Sequence, residues 1–263
     1  MLTFFKAAIT NRLIFRTVLQ MPLNREILPG FKNLAGYADC TFLAFLLSCF
    51  LTFFSCGSRS QRQHEQPVAE ESQYVQIVPE GWESLMNGKT LEGWEVMRYG
   101  GEGEPYVKDG VLTLPVAYGA STGVCWIGDS LPANNYEVYY EARRMEGNDI
   151  FGAVSFPYGN TFATLVVGGW AGMVCGLSCI DGKDASENET TKFIYLKDKQ
   201  WYPVRLRVTP DSIRAVIDTV QVVDIATAGK RIHLRGGTLA SSLTLSTYQT
   251  TGEIRNLRIK KLP

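Results

Sequence analysis

Hydrophobic and polar side chains alternate in short runs from about residue 80 to the end of the chain, and clusters of Gly, Pro, Asn and Asp separate these runs. Alternation with a period of two is typical of strands that bury one face, and regular turn signals are typical of sandwiches and barrels. No segment in this part sustains a helical repeat. The pattern predicts one all-β domain over residues 81–263, because about 180 residues can enclose a sizeable core.

Residues 136–143 show the alternation most clearly. One face carries Tyr136, Val138, Tyr140 and Ala142, and the other carries Glu137, Tyr139, Glu141 and Arg143. The first face is predicted to enter the core. If the second face borders a groove, Glu141 and Arg143 are candidates for substrate binding. If it faces open solvent, they are solvated charges.

The sequence also predicts a β-hairpin. Its strands lie at residues 204–208 and 213–217, and the Thr-Pro-Asp-Ser turn between them has Pro and Asp where a tight turn favours them. Two further strands are predicted at residues 239–248 and 252–262. Basic residues alternate with Ile and Leu in the last of these strands, which indicates a solvated outer face rather than a nucleic-acid site.

The N-terminal part of the chain has a different pattern. Residues 41–55 are uncharged and apolar, too short for a comfortable transmembrane helix and typical of the hydrophobic region of a signal peptide. A small residue precedes Cys56 and a polar run follows it, as in a bacterial lipoprotein signal, so Cys56 is the predicted lipid anchor. Cys49 is the second candidate. A cleaved signal without lipid and an uncleaved membrane anchor are the alternatives.

These patterns divide the chain into three parts. Residues 1–56 form the predicted signal segment, residues 57–80 a polar tether, and residues 81–263 the folded domain. The tether is rich in Ser, Gln, Arg and Glu and is predicted to be flexible. The predicted location is therefore outside the cytoplasm, as a membrane-anchored lipoprotein that faces the periplasm or the cell surface.

Charge and aromatic content narrow the range of partners. The chain has 26 Lys and Arg against 26 Asp and Glu, so it has no basic field to hold nucleic acid. Aromatic residues make up 11% of the chain and supply flat faces that can stack on sugar rings. Composition thus argues against a nucleic-acid partner and is compatible with a carbohydrate ligand.

Three of the six cysteines, Cys125, Cys175 and Cys179, fall in the predicted domain. Cys175 and Cys179 would lie roughly 13 Å apart on an extended strand, too far for a disulfide with each other. Their spacing matches no zinc motif. All three are expected to be small buried hydrophobic residues.

Five motifs resemble, in order, those of the 3-keto-disaccharide hydrolase family, formerly a domain of unknown function. The first, Gly-Trp-Glu-Ser-Leu-Met-Asn-Gly-Lys-Thr-Leu-Glu-Gly-Trp at residues 81–94, is similar to the Leu-Phe-Asn-Gly-Lys-x-Leu-x-Gly-Trp run that opens the family. The resemblance implies a concanavalin A-like jelly-roll sandwich of two antiparallel sheets, exported by bacteria, that acts on or binds carbohydrate. The other motifs lie at residues 107–112, 135–143, 201–208 and 254–262.

The reaction that this resemblance implies is hydrolysis of a 3-keto-glycoside through elimination and then hydration. Such a reaction needs a base and a group that stabilises an enolate. His233 is the one His of the domain and is predicted to be a surface residue, so a carboxylate is the expected base. A divalent cation such as Ca²⁺ is the candidate electrophile.

Residues 181–190 contain the densest acidic cluster of the domain. Carboxylates, an amide and hydroxyls in one loop can hold a hard cation or sugar hydroxyls, although the spacing does not fit an EF-hand. A solvated loop built on turn-forming residues is the alternative. The predicted roles are catalysis for Asp149, Asp184 and Glu187, substrate binding for Asn188, and metal binding for Asp181 and Glu189.

Trp170 is the candidate sugar-stacking residue, because its neighbours Gly168, Gly169, Ala171 and Gly172 are small enough to let a ligand approach. A Trp packed between the sheets is the alternative. The tryptophans of the family-like motifs are predicted to lie in the core. They are Trp82, Trp94 and Trp201.

Three functions fit these observations. The preferred one is an exported hydrolase or lyase that acts on 3-keto-glycosides or related sugars. The first alternative is a non-catalytic glycan-binding module on the cell surface, which is favoured by the absence of any carboxylate from residues 165–172. A surface adhesion or scaffold domain is the second alternative.

Overall fold

A computed structural model describes residues 77–263 of the chain. The predicted signal segment, most of the tether, and both candidate anchors Cys49 and Cys56 lie outside the described residues, so these predictions stay untested. No helix within residues 77–263 is long and apolar enough to cross a bilayer.

The regular secondary structure of the described part is almost entirely strand, with one helical turn. In chain order the elements are β1 (Glu83–Ser84), β2 (Trp94–Val96), β3 (Tyr106–Lys108), β4 (Val111–Leu114), β5 (Ser121–Trp126), β6 (Tyr136–Gly147), β7 (Ala153–Tyr158), β8 (Thr161–Gly168), α1 (Gly169–Gly172), β9 (Val174–Ser178), β10 (Lys192–Phe193), β11 (Tyr202–Val208), β12 (Ser212–Ile217), β13 (Val220–Ala226), β14 (Thr244–Tyr248) and β15 (Thr250–Lys261).

The strands form two antiparallel sheets. The first sheet has eight strands in the order β13-β12-β11-β6-β15-β4-β3, and β1 pairs with β15 outside this path. The second sheet has seven strands in the order β10-β9-β8-β7-β14-β5-β2. The predicted all-β, concanavalin A-like sandwich of two antiparallel sheets is thereby confirmed.

The inner faces of the two sheets enclose one hydrophobic core. From the first sheet, Tyr136, Val138, Tyr140 and Ala142 are buried as the alternation of β6 predicts. The second sheet contributes residues such as Leu165. Burial of such apolar area stabilises the fold by roughly 25 cal/mol per Å².

The two buried tyrosines of β6 have partners for their hydroxyl groups. Tyr136 Oη donates a hydrogen bond to the carbonyl of Pro157 at 2.5 Å, and Tyr140 Oη donates one to that of Gly152 at 2.7 Å. Burial raises the pKa of both phenols, so they remain neutral donors. These bonds tie the first sheet to the second sheet at β7 and to the segment before it.

The predicted hairpin is present as β11 and β12, with Val204 opposite Ile217 and Val208 opposite Ile213. Thr209 Oγ1 accepts a hydrogen bond from the amide of Ser212 at 3.1 Å and so stabilises the turn. The strand predicted over residues 239–248 begins only at Thr244. Ser and Gly residues before it favour turns, and this segment borders a cavity described below.

The three cysteines of the domain are free and buried, as predicted. Trp94 is buried, and its indole nitrogen donates a hydrogen bond to the carbonyl of Leu85 at 2.8 Å. Trp82 and Trp201 are only partly buried, so the prediction that they lie in the core is wrong. In the case of Trp201, the next residue, Tyr202, enters the core, and alternation along the chain turns the indole outward.

Candidate functional site

A cavity of about 530 Å³ opens on the outer face of the second sheet. Core-facing residues of β7, β8, β9 and β14 alternate with smaller or polar residues that point the other way. These outward residues form the floor of the cavity. They are Ala153, Thr164, Val166, Ser178 and Ser246.

Asp149 enters the cavity from the segment between β6 and β7. Its Oδ1 accepts a hydrogen bond from the amide of Ile150 at 2.8 Å, and its own amide donates one to Thr250 Oγ1 at 2.9 Å. Among the described residues no hydrogen bond reaches its Oδ2. This oxygen is therefore available to accept a proton or a hydrogen bond from a ligand.

Asp184 enters from the other side, on the loop between β9 and β10. Its Oδ1 accepts hydrogen bonds from Ser178 Oγ at 2.5 Å and from the amide of Ala185 at 2.8 Å. Its Oδ2 lies 3.1 Å from Arg235 Nη1, and its side chain is 15% exposed. These contacts hold the Asp184 carboxylate in place, which suits it to position Arg235.

Trp170 stands at the rim of the cavity in a strained turn, α1. Its φ and ψ are 47° and 72°, and Ala171 also has a positive φ of 60°. Non-glycine residues seldom adopt this region, and such strain tends to persist at binding sites. The indole is 36% exposed and lines the cavity, so the alternative of a Trp packed between the sheets is not what the structure contains.

The turn is held from below by Arg144, a buried residue of β6. Its Nε lies 2.6 Å from Asp198 Oδ1, and its Nη2 donates to the carbonyl of Leu196 at 2.7 Å. A Cβ at Gly172 would lie 2.6 Å from Arg144 Nη1, so only glycine fits at that point of the turn. Gly172 therefore packs closely against this guanidinium, two residues after Trp170.

The long loop before β14 also lines the cavity, through Arg235 and the three residues that follow it. The Arg235 guanidinium carbon lies 5.9 Å from the centre of the Trp170 ring, within the range of a cation–π contact. Tyr99 and Tyr248 complete the aromatic part of the lining. Burial, with a smaller contribution from Cys125, raises the pKa of Tyr99 to about 12, so its hydroxyl stays protonated.

Sequence reasoning missed Arg235, Tyr99 and Tyr248. A signal for two of them is nevertheless present. The sequence has three Gly-Gly pairs, at residues 100–101, 168–169 and 236–237, and each borders a cavity residue. Glycine pairs between strands mark loops that approach a ligand or another backbone closely.

The rest of the acidic loop does not line the cavity. Asn188 is buried, and its Nδ2 donates to the carbonyls of Leu177 at 2.7 Å and Asp184 at 2.8 Å. Its Oδ1 accepts from the amide and the hydroxyl of Thr190. The side chain is therefore used up in shaping the loop, which corrects the assignment of Asn188 to substrate binding.

The other three acids of this loop are exposed and lie away from the cavity lining. Glu189 forms an ion pair with Lys230, chiefly through a hydrogen bond that lowers the pKa of the carboxyl. Asp181 Oδ1 accepts a hydrogen bond from the amide of Arg231 at 2.8 Å. Glu187 is exposed and does not line the cavity, so the structure does not bring it together with Asp149 and Asp184.

Within residues 77–263 no group of three or more His, Cys, Asp or Glu side chains is arranged to hold a metal ion. Asp181 and Glu189 are each engaged by backbone or side-chain donors. His233 Nδ1 lies 2.8 Å from the carbonyl of Leu234, and His233 is not part of the cavity lining. The Ca²⁺ site therefore stays a prediction, without a supporting cluster in the described part.

Glu141 and Arg143 lie on the outer face of the first sheet, on the opposite side of the core from the cavity. Glu141 accepts from Arg255 Nε at 2.8 Å, and Arg143 Nε donates to Glu253 at 2.6 Å. The structure thus corrects the alternative in which this face borders the groove. Both residues are surface charges paired with neighbouring strands.

The cavity brings together four kinds of group that act on sugars: an available carboxylate, a cation paired with Asp184, a protonated phenol and a flat aromatic ring. Such a set can bind hydroxyls, stack on a pyranose and move a proton. The two acids come from loops and not from β8, whose residues carry no carboxylate. The absence noted in residues 165–172 therefore does not remove acids from the site.

Solved structures of similar fold have low sequence identity to this chain. A protein from Parabacteroides distasonis ATCC 8503, named as a glycosyl hydrolase, has 12% identity and a TM-score of 0.48, with 72% of this chain and 99% of that chain covered. A carbohydrate-binding module, CBM66, from Bacillus subtilis has 10% identity and a TM-score of 0.42, with 68% and 100% covered. The Crh5 transglycosylase in complex with NAG has 11% identity and a TM-score of 0.49, with 72% and 87% covered.

No curated protein matches the chain in sequence. The model of one protein family, described as the 3-keto-alpha-glucoside-1,2-lyase-like domain, matches residues 81–260. The match spans four of the five motifs in full and the fifth up to residue 260, and it covers most of the chain. The chain belongs to the 3-keto-alpha-glucoside-1,2-lyase-like domain family.

Proposed function

We propose that this domain cleaves 3-keto-α-glucosides, or closely related 3-keto-glycosides, by elimination across C1 and C2 followed by hydration. The observation that carries the proposal is the composition of one cavity, in which Asp149, Asp184, Trp170 and Arg235 all take part. Family membership supports the same chemistry at the level of a carbohydrate-active domain.

In the proposed reaction the C3 ketone acidifies the proton on C2. A base removes that proton, the electron pair of the C2–H bond forms the C1=C2 double bond, and the C1–O bond breaks. The leaving oxygen takes up a proton and departs as an alcohol. Water then adds across the double bond, with its oxygen on C1, and the product is a 3-keto sugar.

Asp149 is the proposed base, because its Oδ2 is open to the cavity while its Oδ1 is anchored to the amide of Ile150. Proton transfer by a positioned side chain contributes about 10²- to 10⁴-fold to a rate. Asp184 is the second candidate, but its ion pair with Arg235 and its bond to Ser178 favour a positioning role.

Arg235 is the proposed electrophile that stabilises the enolate oxygen at C3. A fixed guanidinium aimed at developing negative charge is an electrostatic catalyst that needs little reorganisation during the reaction. Tyr99 is the proposed proton donor to the leaving oxygen, since its hydroxyl stays protonated. Trp170 is proposed to stack on the sugar ring and so to set its orientation.

The experiment is incubation of the full-length chain with p-nitrophenyl 3-keto-α-glucopyranoside deuterated at C2, with and without EDTA. We expect release of nitrophenol and exchange or loss of the C2 deuterium, because the C2–H bond breaks in an elimination. Retention of the label with release would contradict elimination in favour of direct hydrolysis. Loss of release in EDTA would instead support the predicted divalent cation.

A non-catalytic glycan-binding module is the second candidate function. It is favoured by the low number of acids at the cavity, since Asp149 and Asp184 are the only acids of residues 77–263 that line it. The outcome that would select it is saturable binding of the substrate by calorimetry without any release of nitrophenol. Absence of both release and binding would reject both functions.

We further propose that the chain is exported and lipidated at Cys56, and that it faces the periplasm or the cell surface. The support is the apolar run of residues 41–55 and the small residue that precedes Cys56. Metabolic labelling of a bacterial host with an alkyne fatty acid tests this. Cys56→Ala should abolish the label and Cys49→Ala should keep it, and the reverse result would assign the anchor to Cys49.

A further inference from the structure

Two aromatic residues at the edge of the second sheet are more exposed than Trp170. Phe193 of β10 is 72% exposed and Tyr195 is 77% exposed. Between and after them, Ile194 packs against the main core and Leu196 is buried. Alternation therefore turns both aromatic rings away from the core, toward the face of the second sheet that bears the cavity.

Strand pairing joins this edge to the cavity. Gly169, which precedes Trp170, forms a bridge with Val174, and Val174 is paired with Phe193. Two strand spacings separate Gly169 from Phe193, which is about 10 Å across the sheet. Phe193 therefore lies two strands from the turn that holds Trp170, close enough for one ligand to contact both.

The apolar residues under this region are also continuous. Val174 packs in a small cluster with Ile150, Val166 and Ala185 on the outer side of the second sheet. Ile150 and Val166 of this cluster line the cavity. Val166, Val174 and Ala185 are buried, so a packed apolar layer extends from beneath the cavity to the strand beside Phe193.

The chemistry of the edge fits a sugar ring. Exposing an aromatic face to water costs free energy. A neighbouring pair of exposed aromatic rings therefore indicates a binding surface. Lys192 and Lys197 flank the pair and are exposed, so the surroundings of the rings are polar. Flat apolar faces within a polar surround suit the C–H face and the hydroxyl rim of a pyranose.

We propose that Phe193 and Tyr195 form a second subsite, which binds a further sugar ring of a substrate whose 3-keto ring occupies the cavity. The substrate class is then an oligosaccharide rather than a small glycoside. This inference rests on the proposed function, because it assigns the cavity to the reacting ring. The subsite contributes to binding of the longer substrate and has no part in the chemical step.

The test compares two probes on the full-length chain: methyl 3-keto-α-glucopyranoside, and maltotriose oxidised at C3 of its non-reducing ring. For the double variant Phe193→Ala/Tyr195→Ala we expect about a tenfold rise in KM for the trisaccharide, with kcat unchanged, as for loss of an aromatic stacking contact. KM for the methyl glycoside should stay as in the wild type.

Tyr118→Ala is the matched control, since Tyr118 is 85% exposed and does not line the cavity. It should change neither KM. Equal losses on both probes, or no loss on either, would overturn the subsite. Phe193→Trp keeps an aromatic ring at this position and should bind the trisaccharide as the wild type does if stacking is the cause.

A binding measurement separates this inference from the proposed function. Calorimetric titration with unoxidised maltotriose needs no chemistry. If the wild type cleaves neither keto probe, the proposed function fails, while weaker maltotriose binding by the double variant still supports the subsite. If the wild type cleaves both probes and the double variant binds maltotriose as tightly as the wild type, the subsite fails and the proposed function stands.

Discussion

The outer faces of the two sheets carry the same kinds of residue and use them differently. On the first sheet the guanidinium groups of Arg143 and Arg255 lie 4.4 Å and 4.2 Å from the Trp201 ring, one from each of two strands. Each Arg is also bonded to a carboxylate on a neighbouring strand, namely Glu253 and Glu141. These two Arg side chains therefore have both a carboxylate partner and an aromatic partner within the sheet.

On the second sheet the corresponding groups surround a space. Arg235 contacts the Trp170 ring on one side only and pairs with Asp184, while Asp149 keeps one oxygen without a partner among the described residues. The charged residues of this face and Trp170 come from loops and the turn α1 above a floor of strand residues, whereas those of the first sheet come mostly from strands in register. Similar residues therefore form a network of paired charges around Trp201 on the flat surface of the first sheet. On the second sheet they form an open site, where loops rise above the strands.

Asp149→Asn should have the largest effect on catalysis. The change removes the proposed base without altering size, and loss of a general base costs about 10²- to 10⁴-fold in rate. Release of nitrophenol from the 3-keto-glucoside measures it. Glu253→Gln on the first sheet is the control and should leave the rate within twofold of the wild type; equal losses in both variants would contradict a special role for the cavity face.

Arg235→Met should reduce kcat by about 10²-fold, the usual cost of removing one preorganised donor that stabilises an oxyanion. Met keeps much of the length and apolar contact of the Arg side chain but has no charge. The matched control is Arg255→Met, since Arg255 stacks on Trp201 of the first sheet as Arg235 does on Trp170. The steady-state rate of that variant should be unchanged, and a similar fall in kcat would mean that stability and not charge at the cavity was lost.

Trp170→Ala should weaken substrate binding by about tenfold, since aromatic stacking contributes roughly 0.5–1.5 kcal/mol beyond area burial. Isothermal titration with the unreacted sugar measures this change, with Trp201→Ala as the control. The Trp201 variant should bind as the wild type does and lose some stability in urea. Weaker binding in the Trp201 variant would indicate a ligand on the first sheet.

The smallest expected effect is a pH-dependent change in stability at Glu141, one of the paired charges of the first sheet. Burial acts to raise the pKa of Glu141, but hydrogen bonds from Asn256 and Arg255 outweigh it and the pKa lies below its usual value. A depressed folded pKa gives stability that is present above the unfolded pKa, about 4.3, and is lost as the pH falls through the folded pKa.

Glu141→Gln should therefore cost less than about 1 kcal/mol near neutral pH, in line with other exposed ion pairs. The difference in unfolding free energy between variant and wild type should shrink in acid. Urea unfolding across that range measures it. A pH-independent difference for Glu141→Gln would mean that packing and not charge was lost.

Much of the fold could be predicted from particular residues. Alternation in residues 136–143 identified the buried face of β6, and Pro210 with Asp211 identified the turn between β11 and β12. The error concerned Trp201, which the motif resemblance assigned to the core although its neighbour Tyr202 occupies that side. Alternation alone would have corrected it.

The candidate site was predictable only in part. Trp170 was named for its small neighbours, Asp184 for the acidic cluster around it, and Asp149 for its place after the turn that follows β6, all of which are visible in a single segment. Asn188 has the same composition cues but is buried under its own loop. Whether a polar side chain in a loop faces a ligand or the backbone depends on hydrogen bonds that no spacing rule describes.

The sequence by itself determined the fold class, the faces of the main strands and the family, because a period of two and ordered motifs are properties of neighbouring residues. Only the tertiary structure decided which sheet bears the site. Asp149, Trp170 and Arg235 lie far apart along the chain and meet where separate loops close over β7, β8, β9 and β14. Their meeting depends on strand order, which alternation within a strand does not encode.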